Sequence, residues 1–194
     1  MAGTMAGTMA GFAAVAGSGY ARAGIAAHAA PRHGPSGDVA RAADDRADIA
    51  DALHRYAAGI DENDAGLLAS SLDPDAVVDL SRATAQIGVR FPTLVRRDVV
   101  VGSLISLFGP MDTSHALTNL RITVDGDTAV LRCYAQTRHY PPGDGPRPDR
   151  TRNALMMNRY TAELVRCDGH WRIRHLVVDN LWFEGDPAVL AARL

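Results

Sequence analysis

The chain has 194 residues and a formal net charge of −2, from 20 basic and 22 acidic side chains. Every basic residue in that count is arginine, which excludes a lysine Schiff base and the usual pyridoxal phosphate chemistry. Dispersed arginines at near-neutral charge make no nucleic-acid footprint, Cys133 and Cys167 are too few for a zinc motif, and no run of about 18 apolar residues exists to cross a membrane.

Residues 1–40 are dominated by Ala and Gly and open on the near-repeat Met1-Ala-Gly-Thr-Met-Ala-Gly-Thr-Met-Ala-Gly11. Few side chains there could join a core, and repeated Gly weakens any helix. The stretch lacks the basic start of a secretion signal and is broken by Gly7, Gly11, Gly17, Gly19 and Gly24. It reads as a low-complexity, disordered tail. The turn cluster Pro31–Gly37 separates it from a single domain over 41–194. Cysteines in strand-like runs act as small apolar residues, and reduced thiols fit a cytoplasmic protein.

From Asp44 the pattern turns helical, with Ile49, Leu53, Tyr56, Ala57 and Ile60 at spacings of three and four. Asp44, Asp45 and Asp48 suit its first turn, where the helix dipole favours negative charge. Asp61 closes the stripe at the opposite end, where a carboxylate opposes the dipole. Helix stability would not select it there, so it becomes a candidate for chemistry. A short helix follows over 64–71, then a strand over 76–80 and a third helix over 96–108 stopped by Gly109-Pro110. The rest reads as β. Residues 114–124 turn at Asp125-Gly126 into 127–140, a Pro/Gly/Arg loop covers 141–152, and 154–166 turn at Asp168-Gly169 into 170–183. A closing helical turn fits 187–193. Helices first and an antiparallel four-strand meander after predict an α+β fold, three helices packed on one curved sheet.

His115 opens the first strand of that meander. A carboxylate that orients an imidazole, and stabilises the imidazolium formed, is an economical base for removing a proton beside an activated carbon. The spacing itself does not show that Asp61 and His115 meet. By the two-residue period, Asn119 and Arg121 share a face with His115. His175, Asp179 and Trp182 fall on the last strand, where Asp179-Asn180 near Trp182 makes a second polar candidate. His139 and Tyr140 fit either a pocket mouth or, as the favoured reading, a solvated strand end, and Met156 and Met157 read as gap-filling core. No zincin pair, 2-His-1-carboxylate triad or phosphate loop is recognisable, so neither metal nor nucleotide nor any other cofactor is expected.

Three segments resemble the SnoaL-like branch of the nuclear-transport-factor-like superfamily, and within it the hexachlorocyclohexane dehydrochlorinase and scytalone dehydratase group. They are Tyr56-Ala-Ala-Gly-Ile-Asp61 with Gly66-Leu-Leu-Ala-Ser70, then Thr113-Ser-His-Ala-Leu-Thr-Asn-Leu-Arg121, then Tyr160–Arg174 with its Asp168-Gly-His-Trp-Arg172 turn. The resemblance implies a cone of helices and curved sheet around a deep, mostly apolar pocket. It also implies an Asp–His dyad at Asp61 and His115 with His115 as base, and a homodimer paired through the outer sheet face. Arg166 loosely matches an arginine of the dehydrochlorinase strand. That enzyme's lysine is replaced here by Tyr56 and its tryptophans by Ser71-Leu-Asp73. The replacements argue against dechlorination and suit Tyr56 to polarising a carbonyl.

Two functional classes follow. The first is a cofactor-independent lyase, cyclase or isomerase acting on a hydrophobic oxygenated molecule of polyketide-like or terpenoid-like type. Asp61, His115 and Tyr56 would carry the chemistry, and Asn119, Arg166, His175, Asp179 and Trp182 would contact substrate. The second is a non-catalytic protein that binds a small ligand, or a small partner subunit of an oxygenase.

Overall fold

In the computed structural model, which describes residues 37–147 and 152–191, helices α1 (Gly37–Asp61) and α2 (Ala65–Ser70) lead into strand β1 (Leu72–Asp79). Then come α3 (Ser81–Ala85), β2 (Leu94–Val95) and α4 (Arg97–Phe108). The long strands β3 (Asp112–Asp125), β4 (Thr128–Tyr140), β5 (Ala154–Cys167) and β6 (His170–Gly185) follow, and α5 (Ala188–Ala191) ends the described chain.

The expected tail over 1–40 lies outside the described residues, except that 37–40 form the first turn of α1. Asp44, Asp45 and Asp48 therefore sit within the helix rather than in its first turn, which corrects the dipole argument. The indole Nε1 of buried Trp171 donates to Asp45 at 3.2 Å, so that residue serves tertiary packing. The apolar stripe behaves as its spacing predicts. Ile49, Leu53, Tyr56 and Ile60 are all buried, and each such aliphatic side chain contributes roughly 1.5–3 kcal/mol. Leu68 seats α2 against α1 so closely that a Cβ on Gly59 would lie 2.5 Å from the Leu68 backbone nitrogen.

The sheet has six strands in the order β2-β1-β6-β5-β4-β3. The four long strands form the expected antiparallel meander. The strand foreseen over 76–80 starts earlier, at Leu72, and pairs parallel to β6, with Val77 opposite His175. Two-residue β2 extends that edge, antiparallel to β1. Among the described residues β1–β6 is the one parallel pairing, so the sheet is mainly, not wholly, antiparallel. Leu131, Cys133, Ala135, Ala162, Leu164, Ile173, Leu176 and Val178 line its inner face beneath α1 and α4. Burial pushes the Cys133 thiol up to about 12, which leaves it an inert apolar residue.

Bulges set which side chains face inward. In β3 the register shifts between Thr118 and Arg121, and Asn119 takes φ 56° there. In β6 one extra residue enters between the partners of Glu163 and Leu164, and another between those of Met157 and Asn158. Each insertion reverses the in/out alternation beyond it. No helix among the described residues is long and apolar enough to cross a membrane.

Candidate functional site

The last residue of α1 and the start of the edge strand β3 meet at one carboxylate. Residues 113 and 115 alternate onto the same face of β3, and both turn to Asp61. The Thr113 hydroxyl donates to Asp61 Oδ1 at 2.7 Å and the His115 backbone N–H to Oδ2 at 2.8 Å. His115 Nδ1 lies 2.6 Å from Oδ1. As an edge strand, β3 leaves alternate N–H groups without a strand partner, and Asp61 satisfies one of them. Burial would raise the Asp61 carboxyl. The His115 ring, by hydrogen bond and charge, together with the Thr113 hydroxyl and the His115 amide, outweighs burial and holds it below the usual carboxylate range. An ionised carboxylate against Nδ1 fixes the proton there and leaves Nε2 as the free nitrogen.

The His115 side chain is 6% exposed and Asp61 22%. Asp61 opens onto a shallow groove that His115 borders too, with His54, Glu62 and Leu117. His115 also lines an inner, mostly apolar cavity. Its apolar wall includes Ile60, Leu80, Ile87, Phe108, Met156 and Val178. Its polar groups are few: Tyr56, Thr84, Thr137, His139, Asn158 and Tyr160. An apolar cavity with sparse, convergent polar groups suits a small ring-bearing ligand.

Burial keeps those groups uncharged. It raises the phenols of Tyr56 and Tyr160 well above their ordinary value, so both remain neutral donors. His139, 4% exposed, is pushed down to about 3 by burial and by nearby His115, against the opposing pull of the Ala154 carbonyl and Asp61. Its Nδ1 has no hydrogen-bond partner, and its ring meets that of His115 edge-on at 5.9 Å. Asn158 donates to the Thr137 hydroxyl oxygen at 3.1 Å and accepts from Asn180 at 2.9 Å.

Of the residues expected at the site, the structure brings Asp61, His115 and Tyr56 together. Asn119 is exposed at the β3 bulge, and the inward set passes from Leu117 to Leu120, so Asn119 and His115 do not share a face. Arg166 lies away from the cavity. It binds Asp45 at 2.7 Å and Asp127 at 3.0 Å, and stacks 4.5 Å above the Trp171 ring, fastening α1 to the strands. His175 faces Glu163, and Asp179 is held by Arg159 at 2.8 Å. Trp182 is 44% exposed. None of the three lines the cavity, because the β6 bulges shift their phase. His139, expected as a solvated strand end, is a buried wall residue. Thr137, Asn158 and Tyr160 were not anticipated. Their signal was alternation, since Met156, Asn158 and Tyr160 share one face of β5 and Thr137 and His139 one face of β4.

The family model for a SnoaL-like domain matches residues 41–177. Terrestric acid biosynthesis cluster protein E of Penicillium crustosum is 34% identical over 148 residues, covering 75% of this chain and 88% of that protein. Among solved structures, the Kfla4162 protein of Kribbella flavida superposes with a TM-score of 0.66 at 24% identity, covering 77% of this chain and 99% of its own. A type 2 hexachlorocyclohexane dehydrochlorinase does so at 0.62 and 24%, covering 77% and 93%. A scytalone dehydratase-like protein of Novosphingobium aromaticivorans does so at 0.61 and 18%, covering 75% and 89%. At such identities the structural likenesses establish the shared fold.

Proposed function

The chain belongs to the SnoaL-like domain family, and from that premise we propose that it is a lyase, cyclase or isomerase that works without a cofactor. The observation that carries this reading is the 2.6 Å contact of Asp61 Oδ1 with His115 Nδ1, made where the His115 ring enters an apolar cavity. His115 Nε2 takes a proton from a carbon activated by a neighbouring carbonyl. Asp61 keeps the imidazole in the productive tautomer and offsets the imidazolium charge. The electron pair left on carbon moves toward the carbonyl oxygen, where a neutral hydroxyl donor of the cavity wall stabilises it. Loss of a β-hydroxyl then gives dehydration, attack on a second carbon gives ring closure, and reprotonation elsewhere gives isomerisation.

The cavity lining favours an uncharged, oxygenated, largely hydrophobic substrate, because no ionised group faces it. A relative named for a biosynthetic cluster supports a secondary-metabolite intermediate of that kind. Incubation with hydroxylated cyclic ketones, without metal or nucleotide, should yield dehydrated or rearranged product. His115→Ala should abolish it while circular dichroism shows the fold intact. If turnover survives that change within about tenfold, the dyad is structural and the cavity serves only to bind.

A further inference from the structure

We propose that Thr137 is the oxygen-binding residue of the cavity, a hydroxyl donor aimed at a ligand acceptor oxygen beside His115, and that Asn158 and Asn180 position it through a hydrogen-bond chain of fixed direction. The proposal deepens the reading of the cavity as a substrate site.

The direction is set at the outer end. Asn180 Nδ2 lies 3.0 Å from the Trp182 carbonyl and 3.3 Å from the Met157 carbonyl. Backbone carbonyls can only accept, so the atom facing them must be the amide nitrogen. The β6 bulge, which pairs Trp182 with Met157 and Asn180 with Asn158, brings those carbonyls to one amide. The same NH2 group donates to Asn158 Oδ1 at 2.9 Å. Asn158 thus turns its oxygen outward and its NH2 toward Thr137, whose Oγ1 accepts at 3.1 Å. The Thr137 hydroxyl hydrogen then has no acceptor among the described residues. Thr137 is 1% exposed and lines the cavity, so that hydrogen is directed at whatever fills the space.

Its position beside the base follows from pairing. His115 is opposite Thr137 in the β3–β4 register, and the His115 N–H is spent on Asp61 rather than on β4. That marks a non-hydrogen-bonded pair, the kind with Cα atoms about 4.5 Å apart and side chains closest. A donor there meets an oxygen on, or next to, the carbon that His115 addresses. A carbonyl gaining negative charge as its neighbour loses a proton is the group that profits most from it.

Two small probes test this by binding, without turnover: acetophenone, an acceptor only, and α-methylstyrene, its near-isostere with CH2 in place of the oxygen. Ligand-observed NMR on the full chain should show the ketone bound about fivefold or more tightly. Thr137→Val should erase the preference and Thr137→Ser should keep it. Asn180→Asp should also erase it, although residue 180 does not line the cavity. The introduced carboxylate cannot donate, so the Asn158 amide turns over and draws the Thr137 hydrogen to its own oxygen. The Asn158 side-chain amide signals should shift accordingly. Equal binding of the two probes, failure of both to enter the cavity, or a preference that survives Thr137→Val overturns the proposal. A preference that survives Asn180→Asp overturns the positioning chain. Because no proton is abstracted in this assay, its failure leaves the Asp61–His115 reading standing, and the reverse holds equally.

Discussion

Lowering the pH from 7 to 5 should weaken the fold through His139. Burial holds that imidazole at about 3, against an ordinary value of 6.5. Nearby His115 pushes it down further, and the Ala154 carbonyl and Asp61 pull it back up. A depressed histidine stays neutral in the native state while the unfolded chain takes a proton near 6.5. The stability it contributes is therefore full above that pH. It falls by about 1.4 kcal/mol per unit as pH drops, and levels off near 3. From pH 7 to 5 the loss integrates to about 2 kcal/mol. Asp61, whose carboxyl is also depressed, loses its contribution in the same direction, but only in acid below the ordinary carboxylate value and so outside the range from pH 7 to 5. His139→Gln removes the titration. Urea unfolding of both proteins at pH 7, 6 and 5 isolates the effect, since all other groups cancel in the difference. The stability of wild type relative to the variant should shrink by about 2 kcal/mol across that range. A difference constant within about 0.5 kcal/mol would refute the neutral, buried imidazole.

Three other substitutions test the packing and the residues that fell outside the cavity. Arg166→Met should lower stability in urea unfolding by leaving Asp45 with the Trp171 N–H as its remaining partner, while ligand binding stays unchanged; the exposed Asp127 arm adds little. Unaltered stability would mean that Arg166 does not clamp α1. Gly59→Ala should cost about 1–3 kcal/mol, because the new Cβ meets the Leu68 backbone, which cannot swing aside. A melting temperature equal to wild type would show that the two helices separate at little cost. Asn119→Gly should be neutral or stabilising within about 0.5–1 kcal/mol, since its φ of 56° already suits glycine; loss of turnover in that variant would return Asn119 to the site.

Asp61 and His115 were legible as candidates because each stood out against a regular element, while their meeting was implied by the family resemblance and not by their spacing. Asp61 ends an apolar helical stripe where its charge is unfavourable, and His115 stands on the inward phase of an alternating strand. Helices and long strands were legible for the same reason, namely that their periods persist over many residues. The two-residue β2 carries no period, and the parallel pairing of β1 with β6 is a long-range contact that no local pattern marks. The bulges in β3 and β6 account for the misplaced residues. Asn119 was assigned by strict alternation, while His175, Asp179 and Trp182 were placed on the last strand without a face, and one inserted residue reverses the face of all that follows. His139 was misread because a histidine beside a Pro/Gly loop gives no sign that Phe108 covers it, with ring centroids 5.4 Å apart. Asn158, the one polar residue on the inward face of β5 that carries Ala154, Met156 and Tyr160, was the clue most open to being read and was passed over.

The most direct test of the base is proton exchange on a carbon acid. Exchange of the α-hydrogens of 2-tetralone in D2O at neutral pD, followed by proton NMR, needs only a base, a cavity that admits the ring and some stabilisation of the enolate. Wild-type protein should exchange them faster than buffer and His115→Ala no faster than buffer. Asp61→Asn should fall between, because it preserves shape but leaves the imidazolium without its counter-charge. Exchange by His115→Ala as fast as wild type would contradict the account.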